Sequence, residues 1–120
     1  MARQQRIGRW GEDLAAKYLL DRGYQIIARN ERTPYGEFDL IAKLADLVVF
    51  IEVKTRFSES FGLPEISVNQ SKIRHILDSV QFYLQNNPEM DCAWRVDVIA
   101  ILRKAGGIPP EIVIFENAIS

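Results

Sequence analysis

Apolar residues recur at helical spacing near the start of the chain. Ile7, Trp10, Gly11, Leu14, Ala15 and Tyr18 share one face of a helix predicted over 7–21, and Gly23 stands where such a helix stops. At about 100° per residue, Asp13 falls opposite that face and Glu12 on its flank beside Leu19. Residues 24–29 read as a strand, and 30–36, with Pro34 and Gly36, as a loop. Two further strands are predicted over 37–44 and 47–55, joined at Ala45-Asp46, which lacks the favoured Asn-Gly chemistry. Residues 57–63 read as irregular. A long helix follows over 68–86, with an inner face of Ile73, Ile76, Leu77, Val80, Tyr83 and Leu84, ended by Asn86-Asn87-Pro88. Strands over 94–102 and 111–115 close the chain around a turn over 105–110.

The order α-β-β-β-α-β-β predicts a single mixed α/β sheet of about five strands flanked by helices. Leu40 and Ile41, like Leu47 to Phe50, place apolar side chains on both faces, so these strands are expected to be central and covered. One domain over 1–120 suits this length. Composition changes little, with 48% apolar and 26% charged residues. The lone Cys92 excludes an intrachain disulfide. The N-terminal segment has no apolar stretch of the signal-peptide kind, and no run approaches the roughly 20 residues that span a bilayer. A cytoplasmic protein without membrane partners is expected. The net charge of −1 argues against a protein held on nucleic acid by bulk charge alone. Arg3, Arg6, Arg9, Arg29 and Arg32 still allow a local basic rim, with a solvated surface as the alternative.

The chemistry concentrates in VFIEVKTR, residues 49–56, where Glu52 and Lys54 end an otherwise apolar strand. Pairing Leu44 with Leu47 sets Ile41 opposite Phe50 and Asp39 opposite Glu52, with Glu37, Asp39, Ile41 and Lys43 on one face. A slip by one residue would send the acids to opposite faces. Like charges at that distance repel, so one carboxylate keeps its proton or a cation neutralises both. Hard oxygen ligands suit Mg²⁺, and the Val53 backbone carbonyl would add another. Lys54 then stands ready to orient a water or steady phosphate charge, a set suited to metal-assisted phosphodiester hydrolysis. The alternative is that Asp39 caps the turn while Glu52 and Lys54 form a surface ion pair.

Several stretches carry a family resemblance: GRWGEDLAAKYL, GYQIIARNER, YGEFDLIA, VFIEVKTR, RVDVIAI and FENAI. Across nearly its whole length the chain resembles the YraN-like family of bacterial proteins. That family is similar to the restriction-endonuclease-like PD-(D/E)xK nucleases, Holliday-junction resolvases among them. The resemblance implies that fold and a Mg²⁺- or Mn²⁺-dependent endonuclease acting on DNA, including branched or distorted DNA. It implies Asp39, Glu52 and Lys54 as the catalytic set and Glu12 as an additional acid brought from a helix. The metal set is then Asp39, Glu52, Val53 and Glu12. The family usually has Ile in place of Phe38 and Phe in place of Val96, and this chain has no Pro directly before Asp39.

Secondary candidates are Arg56, Gln70, Lys72 and Arg74 as nucleic-acid contacts and Glu37 as a supporting acid, each with a solvated surface role as the alternative. Arg95 and Asp97 read as a structural ion pair at the sheet edge, His75 as a surface histidine, and Trp10 and Trp94 as core. The resemblance also implies a homodimer. A different class of reading is a nuclease-fold binding or assembly module, inactive alone and acting through a protein partner. An RNA-directed nuclease is a third.

Overall fold

The computed structural model describes residues 3–57, 69–90 and 92–119, with side chains from residue 8 onward. Helix α1 (Arg3–Asp21) leads into strands β1 (Gln25–Thr33), β2 (Gly36–Leu44) and β3 (Leu47–Phe57). Helix α2 (Gln70–Asn86) and a short 3-10 turn (Pro88–Met90) precede β4 (Ala93–Arg103) and β5 (Glu111–Phe115). The strands form one five-stranded sheet in chain order, antiparallel except for the parallel β3–β4 pair that α2 connects. This is the predicted mixed α/β architecture and element order. The predicted irregular stretch beyond Phe57 and the Ile7, Arg3 and Arg6 side chains lie outside the described residues.

Two apolar layers hold the sheet. On one face, Ala15, Ala16 and Leu19 of α1 pack on Leu40, Ala42, Val49, Ile51, Ile99 and Ile101. On the other, Val80 and Tyr83 of α2 pack on Phe38, Ile41, Val48, Phe50 and Val96. Trp10 packs against the first layer and Trp94 against the second, as expected of core residues. The buried centre of α1 is shifted from the expected face toward Ala16 and Leu19. In α2 the correction is larger: Leu77 is exposed, because only the second half of the helix docks closely. Asn69 caps its start, its Oδ1 accepting the Lys72 N–H at 2.8 Å.

The expected loop over 30–36 is shorter than read. Strand β1 continues to Thr33 through Asn30, which adopts a positive φ of 53° inside the strand. Strict alternation in β2 also fails. Phe38 packs with Ile41 on the α2 side while Leu40 packs on the α1 side, so the strand turns over at Asp39. Phe38 packs on Phe50 with ring centroids 4.8 Å apart, and Val96 is the β4 partner of Phe50.

Arg95 and Asp97 do pair, in a two-point contact of 2.8 Å each, but the pair lies in the interior strand β4 rather than at an edge. Asp97 is fully buried and also accepts the Asn117 N–H at 2.9 Å, while the Ala118 N–H donates to the Val96 carbonyl at 2.8 Å. The C-terminal turn is thereby fastened to the sheet.

The short β2–β3 connection at Ala45-Asp46, whose length the sequence leaves open, is two residues long, with Ala45 at a positive φ of 52°. That conformation favours glycine. Ala45→Gly should therefore raise stability by about 0.5–1 kcal/mol, read as a higher urea midpoint with an unchanged slope.

Candidate active site

The β2–β3 ladder runs in the expected register, Leu44 with Leu47 and Ile41 with Phe50, as far as Leu40 with Ile51. Beyond that point β2 stays with β1 while β3 continues beside β4. The two strands part, and Asp39 stands at the parting. Its Oδ2 accepts the Val53 N–H at 2.7 Å, so a side-chain oxygen takes the place that a strand carbonyl would fill. Asn30 leaves the β1–β2 ladder at the same level, between the Arg29–Leu40 and Glu31–Phe38 pairs.

Burial pushes the Asp39 carboxyl up to about 6 from 3.8. The Val53 N–H opposes that rise, and the negative fields of Glu12, Glu52 and Glu37 add to it. Three acids from three elements thus act on Asp39. Glu12 is carried there by α1 at its closest approach to β3. Gly11 lies against Thr55 so tightly that an added Cβ would collide with Thr55 Oγ1. The Glu12 side chain is only 16% exposed, and its Oε1 is 3.8 Å from Arg29 Nη2, which also bonds Asp13 Oδ1 at 2.7 Å. Asp13 is the exposed partner, as the helix wheel predicts.

Glu52 lies between two lysines. Lys54 Nζ is 3.6 Å from its Oε1, and Lys72 Nζ is 3.8 Å from its Oε2. These are ion pairs at distances too long for hydrogen bonds. Lys54 is largely covered, whereas Glu52 and Lys72 are each more than a third exposed, so the pairs contribute little to stability. Lys72 reaches the site across the crossover helix, a placement that its flank position in the sequence hardly announces.

The remaining candidates are dispersed. Arg56 is exposed and donates to the Thr55 carbonyl at 2.9 Å. Gln70 and Arg74 line a groove of about 530 Å³ with Ile73 and Leu77, which neither Asp39 nor Glu52 lines. Glu37 pairs with Arg32 at 3.2 Å. His75 is exposed, as expected, but on the wall of a cleft that Glu52 and Lys72 also line.

Among the described residues, no three Asp, Glu, His or Cys groups converge tightly enough to enclose a metal ion as they stand. Glu12 and Glu52 each rest on a basic partner instead. The donor chemistry nevertheless fits a hard divalent cation: the acids are oxygen donors, and their repulsion and burial disfavour the charge on Asp39.

These features define a small mixed α/β protein whose sheet forks around an acidic residue. The chain belongs to the uncharacterised protein family UPF0102, whose model matches residues 11–101. That span bears out the resemblance read from the sequence and includes Glu12, Asp39, Glu52 and Lys54. A UPF0102 protein of Syntrophomonas wolfei is 44% identical over 100 residues, covering 83% of this chain and 87% of its own. Another, of Thermodesulfovibrio yellowstonii, is 46% identical over 95 residues, covering 79% and 84%. Among solved structures, Pyrococcus furiosus SfsA in complex with Ca²⁺ matches 94% of this chain and 63% of its own, with 16% identity and a TM-score of 0.42. Among the described residues no helix is long and apolar enough to cross a membrane.

Two outcomes follow from this geometry. The native state holds the Asp39 proton more tightly than the unfolded chain does, so its contribution to stability is full below about pH 4 and lost as the pH rises through about 6. In EDTA, Asp39→Asn should melt with wild type at pH 4 and a few degrees above it at pH 8, because the amide oxygen still accepts from Val53 without carrying charge. Equal melting differences at both pH values would show that the carboxylate is not strained. Gly11→Val should lower stability by about 1–3 kcal/mol through overpacking on Thr55, measured by urea unfolding.

Proposed function

We propose that this protein is a metal-dependent nuclease that hydrolyses DNA phosphodiester bonds. The observation that carries the reading is the position of Asp39 at the strand fork, where burial and the fields of Glu12 and Glu52 disfavour its charge. A site that disfavours its own negative charge gains by receiving a cation. Asp39 and Glu52 would hold Mg²⁺ or Mn²⁺, with Glu12 assisting and the Val53 carbonyl as a further donor. The bound ion supplies polarisation of a phosphoryl oxygen and neutralises charge on the phosphate. Lys54, anchored beside Glu52, orients the attacking water or steadies phosphate charge. Lys72 brings a second positive charge from α2 to the same carboxylate and is suited to the phosphate backbone. Branched or distorted DNA and a paired, homodimeric arrangement are the finer parts of this reading, drawn from the family resemblance.

The competing reading is a binding or assembly module that acts through a partner. The lysines that already neutralise Glu52 favour it, since they offset charge without an ion.

Calorimetry with Mn²⁺ separates the two. Wild type should bind Mn²⁺ at least tenfold more tightly than Asp39→Ala, and should cut DNA only when Mg²⁺ or Mn²⁺ is present. Unchanged Mn²⁺ affinity in the variant removes Asp39 from the site. A metal-loaded protein that leaves linear, nicked and branched DNA intact establishes the module.

A further inference from the structure

Beside the fork lies a cleft of about 180 Å³, walled by the start of β2 on one side and α2 on the other. Glu52 and Lys72 line it, so it opens directly onto the fork, yet Asp39 does not reach it. We propose that this cleft receives one unpaired base of the strand being cut. The inference rests on the nuclease reading for what happens at Glu52, and it deepens that reading by naming the form of nucleic acid taken.

Size comes first. A cavity of about 150 Å³ accommodates a benzene ring. A volume of about 180 Å³ suits one planar nucleobase with its exocyclic atoms. The walls are of the right kind. Phe38 and Ile76 supply apolar surface, and the Tyr35 ring at the rim is 48% exposed, available for stacking while its other contact is edge-on to Phe82 at 6.5 Å.

Charge then discriminates among ligands. Glu37 and Glu52 on the rim face Lys72 and His75, so the cleft has no net positive character to favour a phosphate. A neutral ring fits it better. The floor adds a polar contact. Ser79 is buried, 2% exposed, and its Oγ lies 2.9 Å from Thr33 Oγ1. Thr33 Oγ1 already accepts the N–H groups of Tyr35 and Gly36, each at 3.1 Å. With both lone pairs engaged, Thr33 is the donor to Ser79 or to the Gly36 carbonyl, also at 2.9 Å. The hydroxyl proton of Ser79 is then left for a ligand in the cleft. Every nucleobase carries a ring nitrogen or carbonyl oxygen able to accept it.

A paired base cannot enter, because its stacking and pairing hold it in the duplex. The preferred substrate is therefore a single strand, a bulge or a junction rather than uninterrupted duplex. The test is fluorescence anisotropy in EDTA with three labelled DNA duplexes: fully paired, with one bulged thymine, and with an abasic site in place of that thymine. Wild type should bind the thymine bulge about tenfold more tightly than the abasic bulge. Ser79→Ala and Tyr35→Ala should each shrink that ratio severalfold while leaving duplex affinity unchanged, and Ile76→Trp, which fills the cleft, should bring it near one. Equal affinity for thymine and abasic bulges in wild type overturns the proposal, as does binding to none of the three. Because the assay contains no divalent ion, its failure is independent of the cleavage and Mn²⁺ measurements: a nuclease that cuts without bulge preference loses only the base cleft.

Discussion

The hydrogen bond from the Val53 N–H to the Asp39 carboxylate ends the β2–β3 ladder and opens the sheet. Had β2 continued alongside β3, Asp39 would be one more alternating side chain, and Glu52 would face a neighbouring strand rather than a cleft. The bond holds Asp39 in place while burial raises the cost of its charge. The site thus depends on a conflict. The N–H favours the carboxylate, and the low-dielectric surroundings and neighbouring acids oppose it. A cation of the proposed kind would relieve that conflict.

Around this point the fold supplies restraint from both sides. Gly11 lets α1 sit directly on Thr55, bringing Glu12 to the fork with little room to drift. On the opposite face, the docked half of α2 leaves its first turns standing beside the strand ends, where Lys72 meets Glu52. Arg29 and the two lysines share the work of balancing the acids. A site balanced in this way tolerates the absence of an ion.

The hairpin register was legible because Ile41 and Phe50 are both apolar and share a covered face. Glu12 and Asp13 were separable because a helix wheel distinguishes flank from outside. Other features left no periodic trace. The turnover at Asp39 comes with a left-handed Asn30 in the neighbouring strand, a tertiary adjustment that alternation rules cannot register. Leu77 fits the apolar face of α2 but hangs beyond the sheet, because the helix docks by its second half. The burial of Asp97 depends on a C-terminal turn about twenty residues away in sequence. The Asn69 cap was the more accessible omission, since an Asn directly before an apolar-periodic helix is a recognised start signal.

The single parallel pairing has a kinetic consequence. The first helix and three strands contact one another through short connections, whereas Leu47 meets Ala93 only after the crossover through α2. Loops that short close early, and the long one closes late. Glu12, Asp39, Glu52 and Lys54 all belong to the part joined by short connections. The β3–β4 ladder therefore carries the largest loop-closure cost in the sheet, and the acidic site lies on the side of that ladder built from short-range contacts.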